Sequence, residues 1–208
     1  MYLLQRLAAP SRLAPRCVLL ARPAAQRTCL APRTMASASG STVKVAVSQM
    51  TSTSDVEANF AACVRLARSA ADAGAALLCL PECCTFLGER DTDALGVAEA
   101  LDNGPLLARF GALARDTGLW LSLGGVPEAA PQNSGRRYNT HVLLSAAGAV
   151  AASYRKVHLF DVDYPGRVTL KESNVTLPGD TLVAADSPVG RLGLTVCYDV
   201  RHALPYAF

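Results

Sequence analysis

No acidic residue precedes Asp55. The first 40 residues hold six arginines (Arg6, Arg12, Arg16, Arg22, Arg27 and Arg33), no lysine and no acid, so the net charge of +3 is unevenly spread. The 14 basic residues that follow face 17 acidic ones, and a mildly acidic body of this kind has no nucleic-acid-binding stripe. Apolar runs are also short. None approaches the roughly 18 residues of a membrane span. Seven cysteines are present, at 17, 29, 63, 79, 83, 84 and 197, but there is no CxxC pair. An odd count without paired spacing argues against a disulfide framework or a zinc site, and reduced thiols suit a cytosolic or matrix protein. Histidine is scarce: His141, His158 and His202 are the only three. His141 falls inside a strand-like run, His158 follows a loop lysine and His202 sits in the terminal tail. A Cys-His protease therefore finds no support.

What is there is enough apolar material for one packed domain, half of 208 residues. The Arg-, Ala-, Leu-, Ser- and Pro-rich stretch 1–40 has the composition of a mitochondrial transit peptide; its plainer reading is a basic tail. Met35 offers an internal start that would leave a cytosolic form. The expected distribution is thus mitochondrial and cytoplasmic.

From Val43 the pattern becomes that of a folded α/β domain. Val-Lys-Val-Ala-Val at 43–47 alternates like a strand. Ser54 with Glu57 makes a capping box for a helix carrying Val56, Phe60, Cys63, Val64 and Ala67, and Gly74 stops it. The apolar run 76–80, ended by Pro81, suits a strand buried on both faces. Pro105 opens a second helix to about Thr117. Residues 119–123 read as a strand ended by Gly124-Gly125, and 140–144 with 149–154 read as a hairpin. Residues 157–180 read as a long loop, and two further strands are expected at 181–185 and 191–196. The order is β-α-β-α followed by strands, an α/β class with a mixed sheet.

Three polar residues stand just past apolar strands: Glu82, Lys156 and Cys197. Strand ends are where open α/β sheets assemble sites. A carboxylate can take a thiol's proton, and an ammonium group with a backbone N–H can hold the negative charge that develops on an attacked carbonyl. The three together suffice for acyl transfer. Singly, each has a bland reading: Glu82 as a helix-terminal acid, Lys156 as a solvated loop charge, Cys197 as a buried filler, Glu128 as a rim charge.

Leu80-Pro81-Glu82, Tyr154-Arg-Lys156-x-His158-Leu and Cys197-Tyr-Asp-x-Arg201, in that order, resemble the three motifs of the nitrilase superfamily of carbon–nitrogen hydrolases. Gly124-Gly-Val-Pro-Glu128 is similar to a segment carrying a second glutamate. The resemblance covers residues 43–201. Residues 45–53, 118–125 and the cysteine motif most resemble the deaminated glutathione amidase branch, with omega-amidase as neighbour.

The resemblance implies part of an α-β-β-α sandwich, a homo-oligomer, and no metal or organic cofactor. It implies Glu82 as general base, Lys156 as oxyanion stabiliser and Cys197 as nucleophile. Glu128 would orient Lys156 or assist the base, and the Tyr198 backbone N–H would complete the oxyanion hole. The expected reaction is hydrolysis of a small primary amide, deaminated glutathione or an alpha-keto acid monoamide, through a thioester, with neither nucleic acid nor membrane as partner. Resemblance ends at Arg201, and the tail 202–208 is atypical. The C-terminal half of the fold is expected to be missing, through splicing, a frameshift or a gene-model end. That leaves low activity or an inactive partner-binding form as alternatives.

Overall fold

The computed structural model describes residues 16–22, 42–131 and 134–202. A six-stranded sheet carries the molecule, in the order β1-β2-β3-β4-β5-β6. Its strands are β1 (Arg16–Arg22), β2 (Val43–Gln49), β3 (Ala75–Leu80), β4 (Trp120–Ala129), β5 (Arg137–Leu144) and β6 (Val150–Arg155). β2, β3 and β4 run parallel, and β1, β5 and β6 add antiparallel pairs on either side. Strand β1 lies inside the basic stretch, where no strand is expected from the residue pattern. The rest of the segment read as a transit peptide lies outside the described residues, as do 203–208 of the tail.

Two helices cover one face. Helix α1 (Val56–Asp72) buries Ala62, Cys63, Leu66, Ala67 and Ala70, and α2 (Pro105–Thr117) buries Phe110, Leu113 and Ala114. Alternation along β3 divides the core. Leu78 and Leu80 join the helix-side cluster, while Leu77 and Cys79 face the other side with Tyr154, Leu194 and Val196. That second face is covered by the hairpin of β9 (Ala184–Ser187) and β10 (Gly190–Gly193). A helix layer, a mixed sheet and a β layer behind it make the expected α/β architecture.

Four local expectations need correction. Helix α1 is capped by Asp55, whose carboxylate accepts from Ala58 N–H at 2.9 Å. Glu57 turns outward to a bidentate pair with Arg109 at 2.6 and 2.7 Å instead of reaching back to Ser54. Gly124-Gly125 does not end β4; it makes a bulge and the strand continues through Glu128. The loop 157–180 contains its own hairpin, β7 (Asp161–Tyr164) with β8 (Val168–Lys171), then a helical turn at Glu172–Asn174. The last two strands are short, because residues 194–196 leave the hairpin and enter the turn that carries Cys197.

Candidate active site

Glu82 stands one residue beyond Pro81 at the end of β3. The β4 bulge clears its surroundings. A Cβ at Gly124 would lie 2.7 Å from the Leu80 carbonyl oxygen, and one at Gly125 (φ +153°) would lie 3.0 Å from Glu82 Cγ and 2.8 Å from Asn139 Oδ1. The missing side chains let three strand segments close on the carboxylate. Cys83 N–H donates to the Gly125 carbonyl at 3.0 Å, and Asn139 Nδ2 donates to Glu82 Oε1 at 2.9 Å.

Lys156 follows β6 directly. Its backbone is fixed on both sides, N–H to the Asn139 carbonyl and C=O from Gly179 N–H, each 2.8 Å. Its side chain is only 2 % exposed, and Nζ donates to Glu172 Oε2 at 2.7 Å. The same oxygen accepts from Phe160 N–H at 2.7 Å. Burial pulls the ammonium pKa down, but the charge and hydrogen bond of Glu172, with Glu82 and Cys197 nearby, outweigh it and leave the pKa above its ordinary value. The group is a fixed cation.

Cys197 begins a helical turn with φ +47°, a conformation that side-chain-bearing residues avoid. Backbone held this way at a strand-to-turn junction is typical of functional positions. Asp199 enforces it. Its fully buried carboxylate accepts from Val196 N–H at 2.9 Å, Tyr154 O–H at 2.8 Å, His158 N–H at 3.1 Å and the His158 ring. His141 steadies the approach. Its Nδ1–H donates to the Thr195 carbonyl at 2.9 Å, so Nε2 accepts from Ser122 O–H at 2.8 Å, and burial lowers its pKa. Tyr198 packs edge-on against Phe160 with 5.0 Å between centroids.

Glu82, Lys156, Cys197 and Tyr198 all line one cavity of about 420 Å³, with Arg137, Asn139 and Glu172. The Cys197 thiol is pushed up to about 11 by burial first, then by the negative charge of Glu82 and a hydrogen bond to it; Lys156 opposes the rise. Cys83, beside Glu82, is pushed up further, to about 12, mainly by burial. At neutral pH both are thiols, and Glu82 lines the same cavity as Cys197.

Glu128 is the exception among the residues singled out. Its buried carboxylate accepts from Thr140 Oγ1 at 2.5 Å and pairs with Arg155. The orienting contact to Lys156 belongs to Glu172. Glu172 and Asn139 were missed from the sequence. No local spacing ties Asn139 to Glu82, and reading 157–180 as a loop hid the turn that aims Glu172. Among the described residues no group of three His, Cys, Asp or Glu is arranged to hold a metal, and no helix is long and apolar enough to cross a membrane.

Residues 44–207 match the carbon-nitrogen hydrolase family. The chain is 45 % identical over 174 residues to the deaminated glutathione amidase of Mus musculus, covering 82 % of this chain and 54 % of that protein. It thus spans about half the length of the curated relatives it matches. The crystal structure of the NitFhit protein of C. elegans superposes with a TM-score of 0.69 at 39 % identity, over 76 % of this chain and 38 % of that one. An amidase from Nesterenkonia sp. AN1, seen after Michael addition of acrylamide at its active-site cysteine, gives a TM-score of 0.65 at 27 % identity, over 78 % of this chain and 60 % of the other.

Proposed function

The chain belongs to the carbon-nitrogen hydrolase family, and from that premise we propose that it carries the site of an amidase, hydrolysing a small amide to a carboxylic acid and ammonia or an amine. The observation that carries the reading is the meeting of Glu82, Lys156 and Cys197 in one cavity, with the ammonium paired to Glu172.

The geometry supports this sequence of events. Glu82 takes the Cys197 proton as the sulfur forms a bond to the amide carbon. Lys156, fixed and charged, faces the oxygen as it gains negative charge, and the Tyr198 backbone N–H is the second donor. The carbon–nitrogen bond breaks as the protonated Glu82 returns a proton to the leaving nitrogen, releasing ammonia from a primary amide or an amine from a secondary one, and leaving a thioester. Water, deprotonated by Glu82, then attacks the thioester, and the acid and the free thiol are released. Asn139 keeps one oxygen of Glu82 occupied, so the other is directed to the proton transfers.

On substrate, the reading favoured is deaminated glutathione, the compound in the name of the mouse relative, with alpha-keto acid monoamides as the alternative. Release of the amine fragment from deaminated glutathione, whose amides are secondary, and of ammonia from an alpha-keto acid monoamide, by the full chain and by a Cys197→Ala variant, tests it. Turnover lost in Cys197→Ala supports the reading; undiminished turnover sinks it. No turnover by a folded chain favours a partner-binding role over catalysis. Homo-oligomer formation and mitochondrial delivery by residues 1–40 are carried as proposals, read by sedimentation and by fusing that segment to a fluorescent reporter.

A further inference from the structure

Residues 194–196 carry Cys197 into the cavity, yet they belong to no strand: β10 ends at Gly193 and the turn begins at Cys197. Backbone outside a ladder must find its hydrogen bonds elsewhere. Leu194 N–H donates to the Val183 carbonyl at 2.9 Å, and the Val196 carbonyl accepts from Asp199 N–H at 3.1 Å. Side chains supply two more bonds. Val196 N–H donates to the Asp199 carboxylate at 2.9 Å, and the Thr195 carbonyl accepts from His141 Nδ1–H at 2.9 Å. Asp199 belongs to the turn itself. His141 belongs to β5, and so ties the approach to the six-stranded sheet.

The surroundings make that tie specific. Side chains alternate along a strand, so His141 shares its face of β5 with Leu143, which belongs to an apolar cluster with Leu77, Tyr154, Leu194 and Val196. A polar ring on such a face is costly unless its nitrogens are hydrogen-bonded, and both are: Nδ1 to Thr195, and Nε2 to Ser122 Oγ at 2.8 Å. A carbonyl can only accept, so Nδ1 carries the proton that reaches Thr195. Asn139 stands on the same face two residues earlier. Its Nδ2 donates to Glu82 Oε1 at 2.9 Å, and its carbonyl accepts from Lys156 N–H at 2.8 Å. Two residues of one strand thus make contact with Glu82, with Lys156 and with the segment that delivers Cys197.

We propose that His141 is a positioning residue for the nucleophile: through the Thr195 carbonyl it sets where the chain delivers Cys197, on the same strand face from which Asn139 sets Glu82. The proposal rests on the amidase reading above and adds to it a residue that does not line the cavity. Glu82 and Cys197 lie 115 positions apart in sequence, yet both are registered to β5, so their spacing follows the strand and not the turns that carry them.

Two amide side chains separate the roles of the two ring nitrogens. In His141→Asn the side-chain N–H can stand where Nδ1–H stands. In His141→Gln it reaches the Nε2 position instead and leaves the Thr195 carbonyl without its donor. A displacement of about an ångström at a reacting group can cost about 10²-fold in rate. With an alpha-keto acid monoamide as substrate, His141→Gln should therefore lower kcat by about 10–100-fold at nearly constant KM, and His141→Asn should recover most of that loss. Equal kcat in the two variants, or a change carried by KM, overturns the proposal. The second measurement needs no turnover: alkylation of the full chain by iodoacetamide, followed separately at Cys197 and at Cys63, which is fully buried in the core. Local opening of the approach should change the Cys197 rate by about threefold or more in His141→Gln, less in His141→Asn, and leave Cys63 as it was. Cys63 speeding up together with Cys197 would reveal a general loss of stability and overturn the proposal, as would one Cys197 rate shared by the full chain and both variants. A change confined to Cys197 in a chain that hydrolyses no amide would sink the amidase reading and leave the tie standing.

Discussion

The ring Nδ1 of His158 lies 2.7 Å from Oδ1 of Asp199, and this contact joins the segment that carries Lys156 to the turn that carries Cys197. The two motifs are 41 residues apart in sequence, yet one buried carboxylate serves both. Asp199 accepts from His158 and Tyr154 on the lysine side and from Val196 N–H on its own turn. The spacing of Tyr154, Lys156 and His158 then has a physical sense. The tyrosine and histidine hold the bridge, and the lysine between them reaches the cavity.

Asp199→Asn keeps the shape but replaces one accepting oxygen with a donor. At least one of its four incoming hydrogen bonds must be lost, and bonds to a charged acceptor contribute about 1.5–3 kcal/mol. Denaturant unfolding should show a loss of that order. Turnover should fall as well, because the left-handed backbone at Cys197 depends on the same carboxylate. Unchanged stability would mean that the bridge is not what holds the turn.

The Cys197 thiol offers a readout separate from turnover. Burial raises its pKa most, Glu82 raises it further and Lys156 lowers it. In Glu82→Gln the thiol should therefore titrate below about 11, and alkylation by iodoacetamide at pH 8–9 should speed up even as hydrolysis is abolished. Lys156→Met should move the thiol the opposite way. Linkage gives the matching stability change. A thiol held above its unfolded value of about 8.5 favours the folded state while it stays protonated. That contribution is complete below the unfolded pKa and is lost as pH rises through the folded one.

Glu172 and Glu128 should separate cleanly. Glu172 helps hold the Lys156 pKa up against burial, so in Glu172→Gln that pKa should fall and the alkaline limb of the pH–rate profile should move to lower pH. Lys156 is raised in the folded chain, so its contribution to stability is present below its unfolded pKa and lost as pH rises through the folded value; without Glu172 that loss should begin earlier. Glu128→Gln breaks the contacts to Thr140 and Arg155 and should cost stability while leaving the shape of the pH profile unchanged. An alkaline shift in Glu128→Gln alone would restore the orienting role to that residue.

Legibility in the sequence followed how local each signal is. Helix α2 was readable closely because Pro105 marks its first turn; Gly118, at φ +66°, ends it in the structure. The apolar run of β3 was readable because burial on both faces leaves no polar position. Glu82, Lys156 and Cys197, which line one cavity, stood out as strand-end groups and then as family motifs. Contacts between distant segments left no such mark. Glu172 lies 16 residues from Lys156 and Asn139 lies 57 from Glu82. A capping shift of one residue, from Ser54 to Asp55, is beyond what composition resolves, since both types cap well. The double glycine was misread because a strand end and a bulge ask for the same residue.

Gly125 shows what that misreading conceals, and it gives the sharpest structural test. At φ +153° the position disfavours any side chain. A methyl group there would also meet Asn139 Oδ1 at 2.8 Å, Glu82 Cγ at 3.0 Å and Val196 Cγ1 at 3.3 Å. These neighbours are the proposed base, the residue that hydrogen-bonds to it and the residue preceding the proposed nucleophile. All three would have to give way together, and a displacement of about an ångström at a reacting group can cost about 10²-fold in rate. Gly125→Ala should therefore lose turnover by at least that factor. The three nearest neighbours of the added methyl lie outside β3, β4 and α1, so a cooperative melt should persist, with a lowered midpoint. Alkylation of Cys197 should speed up, because moving Glu82 away relieves the charge and the hydrogen bond that raise the thiol's pKa. A variant that keeps full activity would show that the bulge has room to spare, and that the approach of Glu82 to Cys197 does not depend on the missing side chain.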